Sequence, residues 1–320
     1  MLSRRYLRIK VMQALYAFFT SNNDSLDYSE KQLMLSMDKL YDLYIYNLSL
    51  IVEIFEYANL KQEEGKHKYF PTDEERNPNS KFIDNIFLSQ LSDNKAYRNA
   101  VEERKISWVD EKEMVRKIFN KFKETKAYKE YMSVQGRSFD EDKEIVIKLQ
   151  KKAILKHSPL HEFFEEKSIF WADDFSTASM MVIKSIQSFS ETLSENASLP
   201  SLYKAPYKKG VNEDKQFIIE LFRNTVIHND EYHKLIAEKA KNWELDRIAV
   251  MDMILIKMAL TEFIEFSSIP LKVSMNEYIE ISKMYSTPKS KVFINGILDK
   301  LLEGLKSKKK IKKTGRGLIE

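Results

Sequence analysis

The side chains best placed to do chemistry are two clusters of cations. Residues 1–10 carry Arg4, Arg5, Arg8 and Lys10 with no acid. Residues 306–316 carry Lys306, Lys308, Lys309, Lys310, Lys312, Lys313 and Arg316, again with no acid. The formal net charge is only +4, from 52 Lys and Arg against 48 Asp and Glu. Setting those eleven cations aside leaves 41 against 48, so the protein is acidic with two basic ends. Such asymmetry implies a localised contact with a polyanion. A third candidate is Lys289-Ser290-Lys291, at the start of the last helical pattern. Backbone N–H groups at a helix N-terminus beside lysines can hold a phosphate. Phe293, in the first turns of that helix, could stack on an unpaired base or fill the core, and spacing alone does not separate the two. Tyr16 is ambiguous in the same way.

Catalytic chemistry finds little support. His157 and His161 are four apart, but Pro159 between them opposes a regular helix presenting both to one metal. His228 and His233 are five apart, the wrong spacing for one helical face, and His67 stands alone. Gly315-Arg316-Gly317 is too short for a phosphate loop, and Asp173-Asp174 are adjacent and so diverge on a helix. There is no cysteine, hence no disulfide and no thiolate metal site, which fits a reducing compartment. The expectation is a non-enzyme with no catalytic residue, no metal and no cofactor. No run of about 18 apolar residues occurs, so no membrane span is expected.

The elements that must position these groups are helices. Only 7 Gly and 7 Pro occur among 320 residues, a composition that starves hairpins. Ser3 caps a predicted helix over 3–20, with Leu7, Val11, Leu15 and Phe19 on one stripe. Tyr28 to about Tyr57 is a second, long helix, followed by a charged linker over 62–79. Ile248, Met251, Leu255, Met258, Ala259 and Phe263 form another buried stripe. After Pro270, Ser274 and Glu277 have capping-box spacing, and Tyr278, Ile281 and Tyr285 share a side. Thr287-Pro288 announces the last helix, whose apolar set is Val292, Phe293, Ile297, Leu298, Leu301 and Leu302. Within it, Gly296 is read as permitting close helix approach.

Several short motifs recur in a known order: Leu245-Asp246-Arg247-Ile248, Thr261-Glu262-Phe263, Ile269-Pro270, Asn276-Glu277, and Phe293-Ile-Asn295-Gly296-Ile-Leu-Asp299-Lys300. With Ser3-Arg4-Arg5, Arg8 and Gln13-Ala14-Leu15-Tyr16 at the N-terminus, the chain resembles the NusB family of transcription antitermination factors. The likeness covers about residues 214–303 and the first helix. A charge run alone reads as a solvated basic face, and the lack of an acid before Asp24 also suits a mitochondrial presequence. The resemblance reverses that reading. It implies that Arg4, Arg5, Arg8 and Lys10 contact RNA, with Tyr16, Lys289, Ser290, Lys291 and Phe293 along the RNA path. It also implies a cytoplasmic factor that binds single-stranded leader RNA of the boxA type together with ribosomal protein NusE. The setting would be the transcription elongation complex during ribosomal RNA synthesis. NusE would dock on the C-terminal helical half, including the helix bearing Lys257 and Glu262. The alternative is a helical protein–protein scaffold without specific RNA binding. The related ribosomal RNA cytosine methyltransferases would need an α/β catalytic region downstream, which this sequence lacks.

The expected fold is all-α, a NusB-like helical bundle enlarged by inserted helical repeats. Trp108, Trp171 and Trp243 anchor the repeat. At an offset of 72, Asp142, Leu149, Glu166 and Asp174 align with Asp214, Leu221, Glu238 and Asp246. At an offset of 135, Phe82, Phe87 and Tyr97 align with Phe217, Phe222 and Tyr232. Three related units over roughly 80–125, 142–190 and 214–263 follow. The expected divisions are 1–65, an insertion over 66–205, a NusB-like domain over 206–305, and a disordered basic tail over 306–320.

Overall fold

The computed structural model describes residues 2–21, 25–70, 72–204, 210, 212–240 and 247–318. Trp243, Leu245 and Asp246, on which one motif and the third repeat register rest, lie outside them. The described residues form helices joined by turns and loops and contain no strand. In chain order the helices are α1 (Arg4–Thr20), α2 (Leu26–Lys66), α3 (Asp73–Arg76), α4 (Ile86–Asp93) and α5 (Lys95–Glu103). Then come α6 (Lys112–Lys123), α7 (Lys126–Ser133), α8 (Phe139–Leu149), α9 (Ser158–Lys167) and α10 (Phe175–Ser188). The last five are α11 (Glu213–Ile227), α12 (Asn229–Lys239), α13 (Val250–Glu265), α14 (Leu271–Tyr285) and α15 (Ser290–Ser307). No described helix is long and apolar enough to cross a membrane.

The chain divides into two compact units, residues 1–37 with 202–320, and residues 38–201. The sequence predicts divisions near 65 and 205, whereas the first boundary between the units falls inside the second helix. In the structure α2 runs 41 residues to Lys66. The first residues of the charged stretch read as linker, up to Lys66, continue the helix, with Lys61–Glu64 and Lys66–Glu63 pairs three residues apart.

In the unit of residues 38–201, α2 lays Leu40, Leu43, Tyr44, Leu48, Ile51 and Phe55 into the core. Trp108 and Trp171 both pack edge-on against Tyr46, 5.5 and 5.8 Å between centroids. Their indole N–H groups donate to Ser49 Oγ and to the Lys39 carbonyl. Asp142 is buried there, accepting from the Ile86 backbone N–H at 2.7 Å and from the Tyr131 hydroxyl at 2.6 Å.

In the other unit α13 is the central helix, packed by α1, α11, α12, α14 and α15. Leu255, Met258, Ala259 and Phe263 are fully buried as their spacing predicts, and so are Ile256 and Leu260 on the remaining faces, whereas Ile248, which precedes the helix, and Met251 are half-buried. On α15 the buried stripe is Ile294, Ile297, Leu298, Leu301 and Leu305, while Val292 points outward at 69 % exposure. The predicted capping box at Ser274 does not form. Helix α14 begins at Leu271 with Pro270 at its N-cap, so Ser274 and Glu277 lie inside it, where both side chains turn to other helices. Gly296 makes no close helix approach, since a Cβ there would meet nothing within 4 Å.

The segment after α15, expected to be disordered, follows a defined path. Lys309 takes φ 52°, and the N–H groups of Lys309 and Lys310 return to the carbonyls of Lys306 and Leu305, a Schellman turn. Beyond it the Thr314 N–H donates to the Ser267 carbonyl at 3.0 Å. The lysines Lys306, Lys308, Lys309, Lys310 and Lys312 are exposed as composition suggests, but the segment that carries them is tied to the α13–α14 loop through Thr314.

Candidate nucleic-acid interface

Ser3 caps α1 by accepting from the Tyr6 N–H, and this places Arg4, Arg5 and Arg8 in the first two turns. Cations there oppose the helix dipole, and each is met by a carboxylate from another helix. Arg4 Nε lies 3.0 Å from Asp214 Oδ1 at the start of α11, with its guanidinium over the Phe217 ring. Arg5 makes a bidentate pair with Glu277 of α14, both bonds 2.9 Å, and these bonds raise its pKa. The Arg4 and Arg5 side chains remain 31 % and 41 % exposed.

Arg8 differs. Its side chain is 3 % exposed, and it donates through Nε and Nη2 to Glu262 at 2.6 and 2.8 Å. Glu262, 0 % exposed, also accepts from Tyr278 Oη at 2.6 Å and from Ser274 Oγ at 2.7 Å. Burial alone would lower the pKa of Arg8, but the charge and hydrogen bonds of Glu262 outweigh it and raise it. Four donors thus satisfy one carboxylate, which ties α1 to α13 and α14. Glu262 presents no surface to a ligand or partner, and Arg8 only the edge of its side chain that reaches the cleft floor. Lys257, on the same helix as Glu262, is largely buried as well, donating to Asn229 Oδ1 at 2.6 Å. Burial lowers its pKa.

Of the remaining predicted residues, Lys10 is buried and reaches over the Tyr6 ring, while Tyr16 is 45 % exposed. At the start of α15, Lys289 and Lys291 are exposed and Phe293 is half-buried. Ser290 is buried and donates to Asp252 Oδ2 at 2.7 Å, while Ser286 donates to the other oxygen at 2.5 Å. Asp252 thereby fixes the entry into α15.

Arg4, Arg5 and Arg8 line one cleft of about 800 Å³. Its other walls include Phe217, Phe266 and Pro270, the acids Glu213, Glu220 and Glu277, and Arg316 from the C-terminal segment. Lys10, Tyr16, Lys289, Ser290, Lys291 and Phe293 are not among its described lining. Sequence reasoning missed Asp214, Glu277 and Arg316 as members of this site. Asp214 carried a signal, its repeat register with the buried Asp142; Arg316 carried none beyond its charge. Among the described residues no group of three His, Asp or Glu is placed to hold a metal.

A model of the NusB family matches residues 177–303. The Transcription antitermination protein NusB of Salinibacter ruber is 46 % identical over 105 residues, 33 % of this chain and 66 % of that protein. Residues 177–303 are a NusB-family domain. The proteins of the same name from Chloroherpeton thalassium and Desulfatibacillum aliphaticivorans are 42 % and 40 % identical over 106 and 86 residues. Those stretches are 33 % and 27 % of this chain, and 50 % and 60 % of the relatives. This chain therefore spans half to about two thirds of the length of the curated relatives it matches. No solved structure matches it. Helix α1 lies outside the matched stretch, yet it packs on α11, α13 and α14 of the NusB-family domain. Residues 304–318 also fall beyond the match.

Proposed function

We propose that this protein is a transcription antitermination factor. It binds single-stranded leader RNA of the boxA type together with ribosomal protein NusE, at the transcription elongation complex in the cytoplasm. The observation that carries this reading is the seating of the arginine-bearing α1 on a NusB-family domain, with Arg4 and Arg5 partly exposed over a cleft. Its work is binding rather than turnover. Arg4 and Arg5 take RNA phosphates, pre-oriented by Asp214 and Glu277; an incoming phosphate competes with those carboxylates for the same guanidinium edges. Arg8 and Glu262 hold α1 in place, and Lys10 is buried rather than offered to RNA. Tyr16 offers a stacking face, and Lys289 and Lys291 extend the cationic path at the start of α15, which Ser290 anchors and Phe293 flanks. With α13 so enclosed, Lys257 serves packing and NusE docks on neighbouring helices.

The test is fluorescence anisotropy of labelled leader RNA and a scrambled control, with and without NusE, across a salt series. Wild type should prefer the leader RNA, more so with NusE. Arg4→Ala/Arg5→Ala should weaken binding and flatten the slope of log K against log salt by about 1.4, for two phosphate contacts on a single strand. Equal binding to both RNAs, unchanged by the double substitution, would overturn the reading. One observation favours the alternative, a helical protein–protein scaffold. Every described N-terminal arginine is matched by a carboxylate, and Glu213 and Glu220 add negative charge to the cleft. A scaffold would show that null RNA result and still bind NusE.

A further inference from the structure

The cleft has a cation that its ion pairs do not neutralise. Arg4, Arg5 and Arg8 face Asp214, Glu277 and Glu262, whereas Arg316 lines the same cleft, is exposed, and pairs with no carboxylate among the described residues. It stands there because the C-terminal segment is built onto the domain. Lys310 Nζ donates to Glu231 of α12 at 2.9 Å. Lys313 Nζ donates to the Glu262 and Phe266 carbonyls, 3.0 and 2.8 Å, closing the C-terminal end of α13 as a basic residue does for a helix dipole. Half-buried there, Lys313 has its pKa lowered to about 8 by desolvation, against the attraction of Glu262. Thr314 bonds Ser267 through both its N–H and its hydroxyl, and the Gly317 N–H returns to the Thr314 carbonyl at 2.9 Å. Gly317 lies so close to the α13–α14 loop that an added Cβ would stand 1.9 Å from the Ser267 carbonyl oxygen and 3.0 Å from its carbon. Only glycine fits, because the obstacle is backbone and has no rotamer by which to retreat.

We propose that the docked C-terminal segment holds Arg316 as a built part of the cleft wall and that Arg316 contacts a backbone phosphate of the bound single-stranded RNA. This rests on the RNA-binding reading above and adds a residue beyond the stretch that matches the NusB family. A charge free of intramolecular partners binds phosphate without displacing a carboxylate, an advantage that Arg4 and Arg5 lack. It also gives the basic end a defined place, in contrast to a floating polycation that attracts any nucleic acid through long-range charge.

Glycine 317 allows the two pictures to be separated, because changing it moves the segment and leaves every charge. In the same anisotropy assay on the full chain, Arg316→Ala should weaken leader-RNA binding roughly fivefold and flatten the salt slope by about 0.7, one phosphate contact on a single strand. Gly317→Val should cause a similar loss. Hydrogen exchange of the Thr314 and Gly317 amides should rise in Gly317→Val and stay unchanged in Arg316→Ala. Lys308→Ala/Lys312→Ala, which removes two tail charges outside the cleft, should cost less than Arg316→Ala alone. Wild type that binds no leader RNA would sink the function proposed above. Wild type that binds, with Arg316→Ala equal to it, would sink the wall. So would Gly317→Val that frees the segment yet keeps full affinity, or a paired-lysine variant that loses as much as Arg316→Ala.

Discussion

Among the described residues each unit has one carboxylate at 0 % exposure, and the two are satisfied in different ways. Glu262 of α13 accepts from the charged Arg8, from Tyr278 and from Ser274. Asp142 of α8 accepts from one backbone N–H and from Tyr131, with Arg137 Nε at 3.8 Å. The first is a full ion pair whose partner stands 254 residues away; the second is held by groups no more than 56 residues distant. A buried charge is tolerated when it is paired and hydrogen-bonded. Glu262 meets that condition by bringing in α1, so the helix that carries Arg4 and Arg5 is fixed by the buried third arginine of its own run. Arg8 is thus a strut, and the function of the two exposed arginines depends on it.

Breaking the ion pair should have the largest effect. Arg8→Ala leaves Glu262 charged in the interior with hydroxyl donors only, and removing one partner of a buried pair costs about 3–5 kcal/mol. Hydrogen exchange resolved by segment should show α1, α13 and α14 losing protection while α8 keeps its own. RNA affinity should fall with the docking of α1 even though Arg8 reaches no ligand. Unchanged α1 protection in Arg8→Ala would show that apolar packing alone seats the helix.

The tyrosines sharpen the contrast. Tyr278 shares Glu262 Oε1 with Arg8, whereas Tyr131 is the hydrogen-bond donor that the structure gives Asp142 Oδ1. Hydrogen bonds to a charged group contribute about 1.5–3 kcal/mol, so Tyr131→Phe should fall at the upper end and Tyr278→Phe at the lower. Urea unfolding followed by segment-resolved exchange ranks the two, and the reverse order would mean that the Arg8 pair does not compensate. Burial, and then the adjacent carboxylate, raises both phenol pKa values. A phenol whose folded pKa is raised contributes stability that is present below the unfolded value near 10 and lost as pH rises through the folded one. Wild type should therefore weaken above about pH 10 more steeply than either Phe variant.

What the sequence shows and hides follows the same division between local and distant partners. The Ser3 cap, the α1 stripe and the α13 core positions are set by spacing within one helix, and periodicity reads them. The pairing of Arg8 with Glu262 crosses most of the chain, and no local pattern announces it. Ser274 and Glu277 have the spacing of a cap, but Pro270 starts the helix four residues before Ser274, which turns the supposed cap into two interhelical contacts. The C-terminal segment reads as free in solvent because composition cannot show that Ser267 offers Thr314 a backbone acceptor, or that the Glu262 and Phe266 carbonyls accept from Lys313.

Two glycines give the smallest prediction, and one of them corrects a reading based on residue type alone. Gly317 excludes a side chain because Ser267 stands against it, and Gly296, inside α15, faces open space. A glycine in a helix interior costs roughly 0.5–1 kcal/mol relative to alanine, through backbone entropy. Gly296→Ala should therefore stabilise the NusB-family domain by about that amount, seen as slower exchange along α15. Combined with Arg8→Ala, it would restore some of the lost margin without touching the Glu262 network, so α1 exchange should recover less than α15 exchange. A destabilised Gly296→Ala protein would mean that this face of α15 is covered in solution, a contact worth locating because Lys289 and Lys291 open the same helix.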